Sequence, residues 1–195
     1  VDDMLDLARA RLAGGIPVRL QAADFAAVVE RVVDESRIAE PERGIEFSAA
    51  GDTRGEWDEP RLGQLASNLV ANALHHGDRA GVVQVHVDGR ASERVMLTVI
   101  NGGEIPADRV PGLFDPFSQG PREHDRSAGL GLGLYIVQQI AQAHRGRVEV
   151  QSTAGETRFR VTLPRSAAMS AESDDRETAA ADPASTVTPF PMIAR

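Results

Sequence analysis

The sequence contains no cysteine, so disulfide bonds and cysteine-ligated metal sites are excluded. It also contains no run of about 18 apolar residues, the length that a membrane-spanning helix requires. Basic residues are not in excess: the chain has 21 Lys and Arg and 29 Asp and Glu, which gives a net charge of -8. Nucleic-acid surfaces hold phosphate with clustered basic side chains. We therefore expect no nucleic-acid partner and no membrane contact by this chain.

The 195 residues are 42% hydrophobic and 26% charged, a balance typical of a globular domain. Residues 1–15 have helical apolar spacing that ends at Gly14-Gly15, and this predicts the end of a helix. Residues 16–165 form the predicted domain. Residues 166–195 are rich in Ala, Ser, Thr, Asp, Glu and Pro, a composition that predicts a disordered tail. Because the chain begins at Val1 and not at a methionine, we expect it to be part of a longer protein.

Apolar periodicity predicts the helices and strands of the domain. The predicted helices span about Asp24–Ile38, Glu59–His76 and Leu130–His144. Strands are predicted near Ile45–Ala49 and Thr53–Trp57, and around Val83–Val87, Val95–Val99, Val148–Val150 and Phe159–Leu163. This order favours an α+β fold, a two-layer sandwich with helices packed on one face of a mixed, mostly antiparallel sheet.

Two asparagines lie on the second predicted helix. Asn68 and Asn72 are four residues apart, so both side chains point from one face. Amides on a face that packs against a core are costly unless something bonds them, and a hydrated Mg²⁺ that carries nucleotide phosphates would do so. A helix with two exposed asparagines is the competing interpretation.

Two segments rich in glycine flank a long loop. At Asn101–Pro106 a strand ends in a polar residue and two glycines, which would let a flat ring approach the main chain. At Gly129–Leu134 three alternating glycines open a helix, whose free N–H groups form an anion site. The spacing fits neither the dinucleotide fingerprint nor a P-loop. An ordinary turn and a flexible hinge are the competing interpretations.

Together, the order and contents of these motifs resemble the ATP-binding catalytic domain of sensor histidine kinases, of the type linked to PAS or phytochrome sensors. That domain has the Bergerat fold, shared with gyrase and Hsp90. The resemblance covers about residues 20–165. The matching segments are Asn68/Asn72 (N box), Asn101–Pro106 (first glycine box), Phe114–Phe117 (F box), Gly129–Leu134 (second glycine box) and Gly155–Thr157 (last turn).

The resemblance implies ATP and Mg²⁺ as cofactors and gives each position a role. Asn72 would coordinate Mg²⁺ with help from Asn68, and Asn101 would accept a hydrogen bond from the adenine amino group. The segment Ser118–Ala128 would form a lid whose arginines reach phosphate. The implied nucleotide contacts are Asn68, Asn72, His75, His76, Asn101, Gly103, Ile105, Phe117, Arg122, Arg126, Gly129, Leu130, Gly131, Leu132, Gly133, Leu134 and Thr157.

Some positions depart from the family pattern. Asn101 stands where most relatives carry Asp, so the bond to adenine loses its charge assistance. The first glycine box and the Gly155–Thr157 turn are each shorter than in most relatives. None of the five histidines has the setting of a phosphoacceptor, which we expect upstream of Val1.

The resemblance implies a protein-histidine kinase that transfers the γ-phosphoryl group of ATP to a histidine on its own dimerisation helix. Its partners would be that helix, in a homodimer, and a response regulator, and its location would be cytoplasmic. Two alternatives stay open: a degenerate, catalytically weak nucleotide-binding module of the same fold, and an ATPase or serine-phosphorylating relative.

Overall fold

The computed structural model describes residues 15–117 and 131–166. These residues form three helices and seven strands. In chain order they are β1 (Gln21–Asp24), α1 (Phe25–Ala39), β2 (Ile45–Gly51), β3 (Arg54–Trp57), α2 (Glu59–His76), β4 (Val83–Gly89), β5 (Arg94–Gly102), α3 (Gly133–Ala143), β6 (Arg147–Thr153) and β7 (Glu156–Pro164). The predictions for residues 1–14 and 167–195 lie outside the described residues.

The main sheet has five strands in the order β2-β4-β5-β7-β6. Strands β2 and β4 pair in parallel, and every other pair in this sheet is antiparallel. Strands β1 and β3 form a separate antiparallel pair. The prediction of an α+β fold with a mixed, mostly antiparallel sheet is therefore confirmed.

One face of the main sheet is apolar and is covered by the helices. Along β4 and β5 every second side chain is buried, as the strand period of two requires. These side chains and the apolar faces of the three helices form one core cluster. Among the described residues no helix is long and apolar enough to cross a lipid bilayer.

The predicted helix starts agree with the capping residues for α1 and α2. The Asp24 carboxylate accepts the N–H groups of Ala26 and Ala27, and the Asp58 carboxylate accepts that of Arg61. Aspartate suits these positions because it satisfies N–H groups that lack a partner within the helix.

Two predictions about elements need correction. Helix α3 begins at Gly133 and not at Leu130, because Gly131 has a left-handed backbone (φ +69) that cannot belong to the helix. Strand β1 was not predicted. It is four residues long and mostly exposed, so its side chains show no apolar alternation.

Candidate nucleotide-binding site

The N-box helix, α2, lies between the other two helices and packs against both of them. Asn68 and Asn72 are half-buried on it. The Asn68 amide nitrogen is buried and has no hydrogen-bond partner among the described residues. A buried amide without a partner is costly, so this atom is a candidate contact for a ligand.

The first turn of α3 faces Asn68. A Cβ atom added to Gly133 would lie 3.7 Å from the Asn68 side-chain carbon Cγ, so the two motifs are in contact. The residue before the helix, Leu132, makes no side-chain capping bond. The N–H groups of this turn therefore retain their capacity to bind an anion next to the N box.

The leucines of the second glycine box hold α3 in the core. The exposed fractions of the Leu132 and Leu134 side chains are 1% and 8%. Both residues are therefore packed in the core, and the candidate ligand groups of this turn are its backbone N–H groups. Gly131, with its left-handed φ of +69, makes the turn that presents this backbone.

The end of β5 carries the candidate adenine-reading residue. Asn101 is 5% exposed, and its amide nitrogen donates a hydrogen bond of 2.8 Å to the carbonyl of Gly102. The Asn101 side-chain oxygen is buried and has no partner among the described residues. The unpaired group that Asn101 can offer to a ligand is therefore a hydrogen-bond acceptor.

A row of polar side chains crosses the sheet at this end. Thr157 on β7 lies opposite Asn101 on β5 and opposite Ser152 on β6. Thr157, 3% exposed, donates a hydrogen bond of 2.9 Å to the carbonyl of Gly103. Ser152 was missed by the sequence analysis. The alternation Val148, Val150, Ser152 could have revealed it, because it places this hydroxyl on the face that the two valines share.

The first glycine box is held by the turn between β6 and β7 and lies beside the end of α2. The Gly103 N–H donates to the Gly155 carbonyl at 2.8 Å, and the Gly102 carbonyl accepts the Asp78 N–H at 3.1 Å. Gly103 has a φ of +101, which a residue with a side chain adopts only under strain. This backbone brings Gly103 next to His76, whose carbonyl would lie 3.5 Å from an added Cβ.

The two histidines at the end of α2 are exposed. The rings of His75 and His76 contact each other edge to face, with centroids 4.7 Å apart. Their backbone lies beside the first glycine box, as the position of the His76 carbonyl shows. They are therefore close to the Asn101 end of the site and accessible to a ligand.

The F box ends at Phe117, which is 51% exposed and has a left-handed backbone (φ +62). Its N–H donates to the carbonyl of Gly131 at 3.2 Å. A hydrogen bond thus joins Phe117 and Gly131, the described residues on either side of positions 118–130. The predicted contacts Arg122, Arg126, Gly129 and Leu130 belong to that segment and lie outside the described residues.

A groove that the motif residues do not line is found elsewhere among the described residues. About 630 Å³ in volume, it lies between α1 and α2, and its lining includes Arg31 and Glu59. These two side chains form an exposed salt bridge of 2.7 Å across the helix pair. The groove contains none of the motif residues, so we base the candidate site on the motifs and their unpaired atoms.

Clusters of three or more His, Cys, Asp or Glu side chains that could hold a metal are absent from the described part of the chain. A divalent cation at this site would therefore depend on amide oxygens, phosphate oxygens and water, as Mg²⁺ permits. The half-buried Asn72 fits that kind of site. The unpaired atom of Asn68 is an amide nitrogen, which can only donate, so it suits a phosphate oxygen or a metal-bound water and not the metal itself.

Comparisons with known proteins agree with this geometry. Residues 57–167 match the family described as histidine kinase-, DNA gyrase B-, and HSP90-like ATPase. The chain is 34% identical to a bacteriophytochrome of Pseudomonas aeruginosa, over 84% of this chain and 23% of that protein. It is also 34% identical to the sensor histidine kinase TrcS of Mycobacterium tuberculosis, over 84% of this chain and 33% of the relative. The chain thus spans about a quarter to a third of the length of these relatives.

Solved structures show the same fold. The histidine kinase AdeS of Acinetobacter baumannii superposes with a TM-score of 0.67 at 23% identity, over 84% of this chain and 76% of that one. Full-length ShkA in complex with AMPPNP superposes with a TM-score of 0.69 at 28% identity, over 84% and 34% of the two chains. The predicted family and fold are confirmed: the chain belongs to the histidine kinase-, DNA gyrase B- and HSP90-like ATPases, as an ATP-binding catalytic domain of the histidine kinase type.

Proposed function

We propose that this chain binds Mg-ATP and that, within the whole protein, it transfers the γ-phosphoryl group to a histidine on a dimerisation helix. Four buried side-chain nitrogen or oxygen atoms of the described residues lack a partner, and two of them carry the proposal: the Asn68 amide nitrogen and the Asn101 oxygen. They lie in two different motifs, one beside the start of α3 and one at the end of β5. A nucleotide has a polar group for each, because its phosphates accept and its adenine amino group donates.

The proposed binding mode gives each element one task. The uncapped first turn of α3 binds phosphate through its N–H groups. Asn101 accepts from the adenine amino group. Asn72, assisted by Asn68, holds Mg²⁺, which when bound would neutralise charge on the phosphates. Phosphoryl transfer needs mainly positioning and such charge neutralisation, so this domain needs no nucleophile of its own.

The acceptor histidine and its general base would lie outside this chain. The proposed partners are the protein's own dimerisation helix, in a homodimer, and a response regulator. With ATP as its substrate, the domain would work in the cytoplasm. The sequence similarity to a bacteriophytochrome and to a sensor histidine kinase supports these proposals.

The test is a titration of the chain with ATP in excess Mg²⁺, followed by calorimetry. We expect the wild type to bind, and Asn72→Asp to bind at least about tenfold more weakly, because a carboxylate adds negative charge next to the phosphates and changes the metal site. The matched control is Gln64→Glu, the same amide-to-acid change two turns earlier on α2, where Arg61 is already a partner. It should bind like the wild type.

The same substitutions are then made in the full-length protein, and transfer of labelled phosphoryl from ATP to protein is measured. Asn72→Asp should abolish labelling, whereas Gln64→Glu should not. A wild-type chain that releases no heat with millimolar Mg-ATP would contradict nucleotide binding. Normal labelling by the Asn72→Asp variant would contradict the assignment of the metal ligand.

A further inference from the structure

Four hydrogen-bonding groups form an unbroken relay at the candidate adenine end of the site. The Ile105 N–H donates to the Ser152 hydroxyl at 2.7 Å. The Ser152 and Thr157 hydroxyl oxygens are 2.9 Å apart, and Thr157 is 2.9 Å from the Gly103 carbonyl oxygen. The relay therefore begins and ends on the same loop, the first glycine box, and passes through β6 and β7 in between.

The direction of every proton in this relay is fixed by its two ends. A carbonyl oxygen can only accept, so the single Thr157 proton points to Gly103. The hydrogen bond between the two hydroxyls must then be donated by Ser152. The backbone N–H of Ile105 can only donate, and it donates to Ser152, whose own proton is already directed at Thr157. Each hydroxyl thus has one possible orientation.

This orientation determines what Thr157 can offer to a ligand. Its proton is used, and one of its two acceptor positions is taken by Ser152, so only an acceptor position remains. Asn101, its cross-strand neighbour, likewise offers an acceptor, because its side-chain oxygen is buried and has no partner among the described residues. Two neighbouring acceptors favour the edge of a ligand that donates hydrogen bonds.

From this geometry we infer that Ser152 is a positioning residue for nucleotide recognition. It holds the Thr157 hydroxyl as an acceptor and fixes the Gly103–Ile105 turn against which the base packs. The inference rests on the proposed function, since it concerns how the same site distinguishes bases. Without the Ser152 hydroxyl, the Thr157 oxygen loses the donor that holds it and the Ile105 N–H loses its partner, so both the hydroxyl and the turn can shift.

The experiment compares two nucleotides on the complete chain: Mg-ATP and the Mg-triphosphate of purine riboside, which lacks only the 6-amino group. Their affinities are measured by calorimetry for the wild type, Ser152→Ala and Ser152→Thr. The matched control is Thr153→Ala, which removes an exposed hydroxyl from the next residue of the same strand. Thermal unfolding of each variant is recorded alongside.

We expect Ser152→Ala to bind ATP about three- to tenfold more weakly, the usual effect of losing one or two hydrogen bonds. The decisive quantity is the preference for ATP over the purine analogue. It should fall at least about threefold in Ser152→Ala, and it should be retained in Ser152→Thr, which keeps the hydroxyl, and in Thr153→Ala. If Ser152 had only a structural role, Ser152→Ala would weaken the binding of both nucleotides equally.

The inference is overturned if Ser152→Ala leaves the preference between the two nucleotides at the wild-type value. If Ser152→Ala does not fold, Ser152→Cys replaces it, because a thiol keeps the size but donates weakly. The same loss of preference is then expected. A wild type that binds neither nucleotide contradicts the proposed function itself, and with it the inference. A wild type that binds with an unchanged mutant preference contradicts only the role of Ser152.

Discussion

Protonation of a single buried histidine should make the stability of this domain depend on pH. His144, at the end of α3, is 4% exposed. Its Nδ1 atom lies 2.8 Å from the Ile140 carbonyl oxygen, and its Nε2 atom accepts the Asp58 N–H at 3.0 Å. A carbonyl accepts and a backbone N–H donates, so the proton of the neutral ring is on Nδ1. A second proton, on Nε2, would face the Asp58 N–H and break that bond.

The pKa of His144 is accordingly lowered from 6.5, first of all by burial, against smaller opposing effects of the Ile140 carbonyl and the Asp58 charge. The sign of the stability effect follows. Above about pH 6.5 the ring is neutral in both states, and the folded state has its full stability. Below that pH the unfolded chain binds a proton that the folded chain resists, so the free energy of unfolding falls as the pH falls.

The loss of unfolding free energy is limited because only one proton is bound differently by the folded and unfolded states. One unit below the unfolded pKa, at about pH 5.5, the loss can reach about 1.4 kcal/mol, provided that the folded ring is still neutral there. The two carboxylates that are paired with arginines titrate well below the pH range in which His144 acts. Asp52 and Asp88 each have a pKa of about 2, lowered from 3.8 chiefly by hydrogen bonds from Arg54 and Arg90, so what they contribute is lost only as the pH falls from 3.8 toward 2.

The assay is urea unfolding of the wild type and of His144→Gln at several values between about pH 5 and pH 8. The glutamine oxygen can accept the Asp58 N–H but does not titrate, so the variant lacks the contribution of His144 to the pH dependence. The difference in unfolding free energy between the two proteins should therefore shrink as the pH falls from about 7 to 5.5. A difference that stays constant over this range would refute the reasoning.

Two further predictions concern the edge of the domain where β7 ends. The Arg165 guanidinium donates to the carbonyls of Asp52, Arg54, Gly89 and Ala91 at 2.5 to 2.9 Å. Arg165→Ala should lower the free energy of unfolding in urea by about 2–4 kcal/mol, and a loss no larger than that of the exposed control Arg109→Ala would contradict this role. A Cβ on Gly89 would lie 1.9 Å from the Asp52 carbonyl oxygen. Gly89→Ala should therefore cost about 1–3 kcal/mol in the same assay, and an unchanged unfolding midpoint would contradict the contact.

The fold could be predicted because its signals are local. The bounds of α2 follow from its apolar stripe and from Asp58, whose side chain caps the helix. The alternation of valines along β4 and β5 likewise marks the buried face of the sheet. By contrast, the pairing of β1 with β3 has no local signal, since each residue of β1 pairs with one that is 30 or more positions away in the chain.

The sequence could predict which residues belong to the candidate site, but it could not predict their hydrogen-bond partners. The sequence indicated Thr157 and Asn101 through a resemblance of motifs, yet only the register of three strands brings Ser152 into the same row. The contact of His144 with the start of α2 spans 86 positions of the sequence. No periodicity of the chain reports such a contact, because it arises from the packing of one helix end against another.

Asn101 shows how a neutral residue can serve where a carboxylate is expected. Both oxygens of a carboxylate accept, so its orientation hardly matters, whereas an amide accepts at only one end. The Gly102 carbonyl bonds the Asn101 amide nitrogen and so leaves the oxygen as the end available to a ligand. A bond from a ligand to this oxygen would be weaker than a charge-assisted one, but burying a neutral amide costs less than burying a charge. In the proposed binding mode, the fixed orientation of the amide would do what the resemblance assigns to the charge of an aspartate.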